Sequence, residues 1–248
     1  MVYLTSFHAI EEHLKAINEG INPNSDDAVL LFAKAGPRAR EIAELARVCS
    51  ISIKRVGTHD LDRISSDHRG IILEVKEAAG EEGIQTVEDF ISTLGNKKNS
   101  IVVVLDEITD PHNFGAIIRS CDQFGVDLII TRNKRTAKHS DVIASSSAGA
   151  VAWAPLVSVA NLQRSIEELK EAGFWIYGAD MSGNSIWMQK LKGRVCLLLG
   201  SEGNGISRLL RECCDGLLSI PSAGKVDSLN VSVAAGIVLY EVKRQQSS

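Results

Sequence analysis

Asn, Ser and acidic side chains gathered where apolar strands give way to helices can grip a neutral or partly anionic ligand, and this chain offers three such places. The last, Leu218 to Glu241, reads LSIPSAGKVDSLNVSVAAGIVLYE. A short apolar strand there enters a loop of turn-formers, Pro221, Ser222 and Gly224, which carries Ser228 and Asn230 before a helix of small residues. Backbone amides and two neutral polar groups converge at such a junction. The first, LDEITDPHNFGAIIRSCDQFG at Leu105 to Gly125, breaks at Asp110-Pro111, and its helix is expected to begin near Asn113, a favourable N-cap type. Between them LLLGSEGNGIS, Leu197 to Ser207, runs a strand into a Gly-rich loop with a single acid, Glu202. One Gly-rich loop is weak evidence; three polar junctions in one chain are far more specific.

Together these stretches resemble the SpoU (TrmH-like) RNA ribose 2′-O-methyltransferases of the SPOUT superfamily. Asp110, Asn113, Gly115, Ala116 and Arg119 match the first motif of that family. Gly200, Glu202 and Gly205 match the second, and Ile220, Pro221, Gly224 and Ser228 to Ala234 the third. One departure is Ser222, where many relatives carry Met. FHAIEEHLKA at Phe7 to Ala16 and HRGIILEV at His68 to Val75 are similar to the subgroup with an added ribosomal-protein-like RNA-binding domain. Enzymes that methylate a guanosine ribose in large-subunit rRNA are closest in character.

The resemblance implies an α/β fold, with a parallel-sheet C-terminal domain tied in a deep trefoil knot and a small N-terminal α/β domain. It implies an RNA-binding domain over residues 1–76, a linker and first helix over 77–98, and a methyltransferase domain over 99–248. A homodimer through the last helix and the first motif helix is implied, as is S-adenosylmethionine as methyl donor, its adenosine held by Leu199, Gly200, Ile220, Pro221 and Leu229. Arg119 is the implied catalytic residue, with Asn113, Glu202, Ser228 and Asn230 completing the pocket and Glu202 pairing with Arg119 or with a substrate donor. A guanidinium keeps its charge in proteins, so electrostatic stabilisation of a developing alkoxide stands beside the general-base role proposed for the family.

Composition is consistent with this reading. The 248 residues are 44% hydrophobic and 23% charged, enough to bury one large or two smaller cores; two domains are expected. No apolar run nears the roughly 18 residues of a membrane span. MVYLTSFHAIEEHLK carries acids and His where a secretory leader would be apolar, so a cytoplasmic protein is expected. Cys49, Cys121, Cys196, Cys213 and Cys214 are odd in number and form no C-x-x-C, which favours buried reduced thiols and no metal. The net charge of −4 gives no global basic footprint for RNA. Locally, however, Arg132, Lys134, Arg135, Lys138 and His139 follow the strand Asp127 to Thr131 without an intervening acid, and RNA contact is expected there. Lys190, Lys192 and Arg194 form a second basic group, and Lys34, Arg38 and Arg40 a third; solvated loops explain such groups equally well.

Holding the junctions in place requires alternating strands and helices, and the pattern alternates almost throughout, which argues parallel α/β. A helix near Ala9 to Ile17, a strand Ala28 to Phe32, a helix Pro37 to Val48 and strands Ser52 to Val56 and Gly70 to Val75 make the N-terminal unit. KEAAGEEG at Lys76 to Gly83 reads as a linker. A helix Val87 to Leu94, strands at 101–105, 127–131, 174–178, 195–199 and 217–220, and intervening helices make the rest. Three functions compete: an RNA methyltransferase acting on rRNA or tRNA, a non-catalytic RNA-binding or ribosome-assembly factor of the same fold, and a nucleotide-binding enzyme using GSEGNG as a phosphate cradle. The last is weakened because G-x-x-x-x-G-K-[ST] is absent.

Overall fold

The computed structural model describes residues 2–19, 28–33, 36–66, 68–75, 85–132, 140–225 and 228–248. In chain order the elements are β1 (Val2–Leu4), α1 (Phe7–Asn18), β2 (Ala28–Phe32), α2 (Pro37–Val48), β3 (Ser52–Arg55), α3 (Thr58–Asp62), β4 (Ile71–Val75), α4 (Val87–Thr93), β5 (Ser100–Leu105), α5 (Pro111–Gln123), β6 (Leu128–Arg132), α6 (Ser140–Ser146), β7 (Leu156–Val159), α7 (Leu162–Glu171), β8 (Trp175–Ser185), β9 (Arg194–Leu199), α8 (Arg208–Glu212), β10 (Gly216–Ser219) and α9 (Val231–Gln246). The chain divides into two compact units, Met1–Ala78 with Thr136–Trp153, and Ala79–Arg135 with Ala154–Ser248. Residues 136–153, expected within the C-terminal domain, thus belong to the first unit. The stretch expected as a linker lies outside the described residues.

In the first unit a mixed sheet runs β1-β4-β2-β3, with β4 antiparallel to both β1 and β2 and β3 parallel to β2. α1 starts where the Ser6 hydroxyl accepts from the Ala9 amide, and it turns Ala9, Ile10, His13 and Leu14 inward. α2 has Pro37 at its first turn, where a missing N–H costs nothing. These faces close on Leu30, Ile71 and Leu73 of the sheet, and Ala144 and Ala152 from the excursion between β6 and β7 complete the same core. His13 is fully buried, neither ring nitrogen finds a partner among the described residues, and its ring lies 5.4 Å from that of Trp153. Desolvation lowers its pKa to about 4.

The second unit is a six-stranded parallel sheet in the order β10-β8-β9-β5-β6-β7. Its central strands are apolar on both faces, as parallel strands covered on both sides must be. Val102 and Val104 of β5 and Cys196 and Leu198 of β9 join a core with Phe90 of α4, Ile166 and Leu169 of α7 and Leu210 of α8. α5 and α9 pack on one another, and α9 reaches β9. Sequence periodicity missed β1, α3 and β7, which are three to five residues long, and cut β8 short at 178. The missed half of β8 is polar, and its register with β10 shifts between Leu217 and Leu218. Gly183 lies there against the β10 backbone, where a Cβ would come 2.4 Å from the Leu217 carbonyl. All five cysteines are free, and Cys49, Cys121 and Cys196 are buried. Among the described residues no helix is long and apolar enough to cross a membrane.

Candidate active site at the carboxyl ends of the sheet

The chain order reverses between β5 and β9. β5 leads outward to β6 and β7 on one side, while its other neighbour, β9, is reached only later. The helices after these two strands also part: α8 belongs to the core with α4 and α7, whereas α5 packs with α9. Loops leaving neighbouring strands in opposite directions open a crevice at the carboxyl ends, the usual ligand position in parallel sheets.

Three loops meet there. The loop after β5 ends at Asp110, whose carboxylate accepts from the His112 and Asn113 amides, so Asp110 is the N-cap of α5 and Pro111 its first residue. Asn113 is therefore not the cap expected of it; it sits one turn in, with its side chain free to bond elsewhere. The loop after β9 is a tight hairpin in which Ser201 and Gly205 exchange backbone bonds of 3.0 and 2.9 Å. Gly200 is required by that closure, since a Cβ would fall 2.1 Å from the Gly205 carbonyl carbon. The loop after β10 ends at Asn230, whose Oδ1 caps α9 by accepting from the Ser232 and Val233 amides and the Ser232 hydroxyl.

Side chains from the three loops form one network. Asn113 Nδ2 donates to Glu202 Oε1 at 3.0 Å, and Asn230 Nδ2 donates to the same oxygen at 2.7 Å and to Asn113 Oδ1 at 2.9 Å. Because Asn230 Oδ1 is committed to the helix amides, its NH₂ must face Glu202, which fixes the direction of the chain of bonds. Glu202 Oε2 has no partner among the described residues, and the side chain is exposed, so an acceptor points outward from the network. The carboxylate is thus held by two amides and not by Arg119.

Arg119 is exposed on α5 without a partner among the described residues. Six residues from Asn113, it lies about 9 Å along the helix and about 120° around it, on the outer face with His112 and Ala116. Ser228 is exposed beside the loop and does not cap α9. Leu199 is buried, and its carbonyl accepts from the Asp106 amide at 2.8 Å, so it offers little to a ligand. Ile220 is half-buried, Pro221 exposed and Leu229 43% exposed. Ser222 Oγ accepts from the Gly224 amide, a turn contact. Arg132 is exposed at the end of β6; Lys134, Arg135, Lys138 and His139 lie outside the described residues.

Sequence reasoning missed Asp106. It is 2% exposed, and its Oδ2 accepts from the Ser207 amide at 2.8 Å, pinning the far side of the Gly-rich hairpin to the end of β5. The signal was an acid closing an otherwise apolar run, Ile101 to Leu105. Arg211 was missed as well: it donates to Asp180 Oδ2 and Ser182 Oγ, both at 2.6 Å, and ties α8 to β8. Among the described residues no group of three or more His, Cys, Asp or Glu could hold a metal.

Residues 100–240 match the SpoU rRNA Methylase family, and residues 7–79 match the family described as RNA 2′-O ribose methyltransferase substrate binding. The chain is 41% identical over 221 residues to an uncharacterised tRNA/rRNA methyltransferase of Borreliella burgdorferi, covering 87% of this chain and 97% of that protein. It is 36% identical over 247 residues to the 23S rRNA (guanosine-2′-O-)-methyltransferase RlmB of Vibrio parahaemolyticus, covering 98% and 97%. The crystal structure of the SpoU methyltransferase AviRb from Streptomyces viridochromogenes, in complex with AdoMet, shares the fold with a TM-score of 0.72 at 23% identity, covering 99% of this chain and 90% of that one.

Proposed function

The chain belongs to the SpoU rRNA methylase family, and on that premise we propose that it transfers a methyl group from S-adenosylmethionine to a ribose 2′-hydroxyl of RNA, with a guanosine of large-subunit rRNA as target. The observation that carries this reading is the Asn113–Glu202–Asn230 network, which joins three loops at the switch point of a parallel sheet. The relative named RlmB, aligned over nearly the whole chain, supports the choice of guanosine and of rRNA.

The junction has the chemistry to hold the donor. Ile220, Pro221 and Leu229 leave apolar surface bare where the protein could have covered it, which suits the faces of an adenine. Gly200 keeps the neighbouring hairpin flat by carrying no side chain. When bound, S-adenosylmethionine supplies a methyl group made electrophilic by its sulfonium.

This chain's residues do the remainder. Glu202 Oε2, fixed by the amides on its partner oxygen, accepts a hydrogen bond from a substrate donor without a change of rotamer. Two amides on one oxygen also spread its charge, which lessens its repulsion of RNA phosphates. Arg119, charged and without a partner among the described residues, reaches from the outer face of α5 to stabilise negative charge as it develops on the ribose oxygen. Arg132 meets phosphate at the end of β6.

A homodimer belongs to the same proposal. Val233, Ile237 and Tyr240 stand exposed at i, i+4 and i+7 on the outer face of α9, an apolar stripe that favours burial. Ile237→Lys should convert a dimer to monomer in sedimentation; a wild-type monomer would remove this part of the proposal.

The direct test is incubation with methyl-labelled S-adenosylmethionine and, separately, unmodified large-subunit rRNA and tRNA transcripts, followed by mapping of 2′-O-methyl marks. A mark on an rRNA guanosine is expected. A mark on tRNA would keep the chemistry and overturn the substrate, and none on either would overturn the enzyme.

A further inference from the structure

The opposite end of the sheet carries a second candidate site. A cleft of about 460 Å³ opens at the amino ends of β8, β9 and β5, between the Gly95–Lys98 turn, the Ala172–Gly173 turn and the start of β9. Trp175, the first residue of β8, stands 59% exposed in its wall. A tryptophan that begins a strand of this core could have turned inward; here more than half of its surface is left to solvent. Around it stand Lys98 and Lys192, both exposed and without a hydrogen-bond or ion-pair partner among the described residues.

Arg194 makes the cleft preformed. Its guanidinium donates to the carbonyls of Ala172 at 2.7 Å, Gly95 at 3.0 Å and Lys97 at 3.2 Å, so one side chain staples the turns that form the walls. All three acceptors are neutral, and among the described residues no carboxylate cancels the charge. The strand-end acids nearby are already engaged: Asp127 accepts from Lys97, Ser100 and the Ile101 amide, and Asp215 from Lys170 and the Ile176 amide. Glu171 is the neighbouring acid without a partner among the described residues, against two unpaired lysines and Arg194.

An exposed indole flanked by two lysines without partners among the described residues, in a cleft braced by Arg194, is what single-stranded nucleic acid requires: a platform for one base and positive charge along the backbone. We propose that this cleft binds a single-stranded segment of RNA, stacking a base on Trp175 and holding phosphates with Lys98 and Lys192. β5 spans six residues, roughly 20 Å at about 3.3 Å each, so a ligand here is a sheet's length away from the Glu202 network. The cleft therefore acts as an anchoring exosite, separate from the nucleotide that reacts.

The test uses the full chain and a fluorescein-labelled single-stranded oligouridylate, titrated over a range of salt by fluorescence anisotropy, with tryptophan fluorescence followed alongside. Each lysine that neutralises a phosphate on a single strand contributes about 0.7 to the slope of log affinity against log salt, so Lys98→Ala with Lys192→Ala should flatten the slope by about 1.4. Trp175→Ala should weaken binding about 5- to 150-fold, and Trp175→Phe should retain binding while losing most of the fluorescence response. Unchanged slope and affinity in the lysine double variant would overturn the proposal, whatever the folding of the tryptophan variants. Methyl transfer to a short fragment carrying only the target nucleotide should be unaffected by these changes, and its loss would also count against an exosite. Failure of the wild type to methylate any RNA, with the salt slope intact, would sink the enzymatic reading and leave this one standing.

Discussion

The two ends of the six-stranded sheet solve different problems with different chemistry. At the carboxyl ends the side chains are mostly neutral and bonded to one another: an N-cap asparagine, an inward-turned asparagine and one carboxylate share three short hydrogen bonds. At the amino ends the bonds run from one guanidinium to three backbone carbonyls, and Lys98 and Lys192 beside them have no partner among the described residues. A network whose geometry is fixed by mutual bonds can orient a reacting group to within tenths of an ångström. Unpaired charge binds without demanding such order, and it weakens with salt. On the two proposals, position is selected at one end and affinity at the other.

Removing the charge proposed to stabilise the developing alkoxide gives the largest expected effect. Arg119→Ala should lower the rate of methyl transfer by about 10²-fold or more, by analogy with the loss of one transition-state donor, with donor affinity in calorimetry nearly unchanged. A variant with full activity would place all the chemistry in the network and would erase Arg119 from the mechanism.

Acid should separate the first unit from both ends of the second. His13 titrates near 4 when buried and near 6.5 when the chain unfolds, so the unfolded chain binds more protons between those values. Stability is therefore complete above about pH 6.5 and is lost as pH falls toward 4, a total of about 3 kcal/mol. His13→Leu should abolish this loss in thermal melts monitored across that window; an unchanged acid profile would mean that the histidine is solvated in solution.

A smaller effect is expected at the network itself. Asn230→Ala removes the cap of α9, worth about 1 kcal/mol, and leaves Glu202 with one amide. Activity should fall by about tenfold while the salt dependence of RNA binding stays constant. A changed salt slope would show that the two ends are not separate.

Much of this architecture could be read from the chain. β2 and α2 fall at the expected residues because an all-apolar run and a Pro-led amphipathic stretch leave one reading each. The short strands β1 and β7 could not be found, since three or four residues hold at most two repeats of the two-residue alternation and their pairing partners are distant in sequence. At the site, residue types were legible and partnerships were not. Asn113, Glu202 and Asn230 were expected together, yet the pairing of Glu202 with amides in place of Arg119 follows from where Asp110 starts α5, which sets the side of the helix that Asn113 presents. Asp106 escaped notice because a buried acid at a strand end reads as the first residue of a loop.

The excursion between β6 and β7 has a consequence for dissecting the molecule. Ala144 and Ala152 lie in the core of the first unit, while the strands on either side belong to the second. Neither unit is a continuous length of chain. A fragment ending at residue 78 would open its own hydrophobic interior to water, and cleavage within 76–84 would leave both pieces laced through the remaining two crossings.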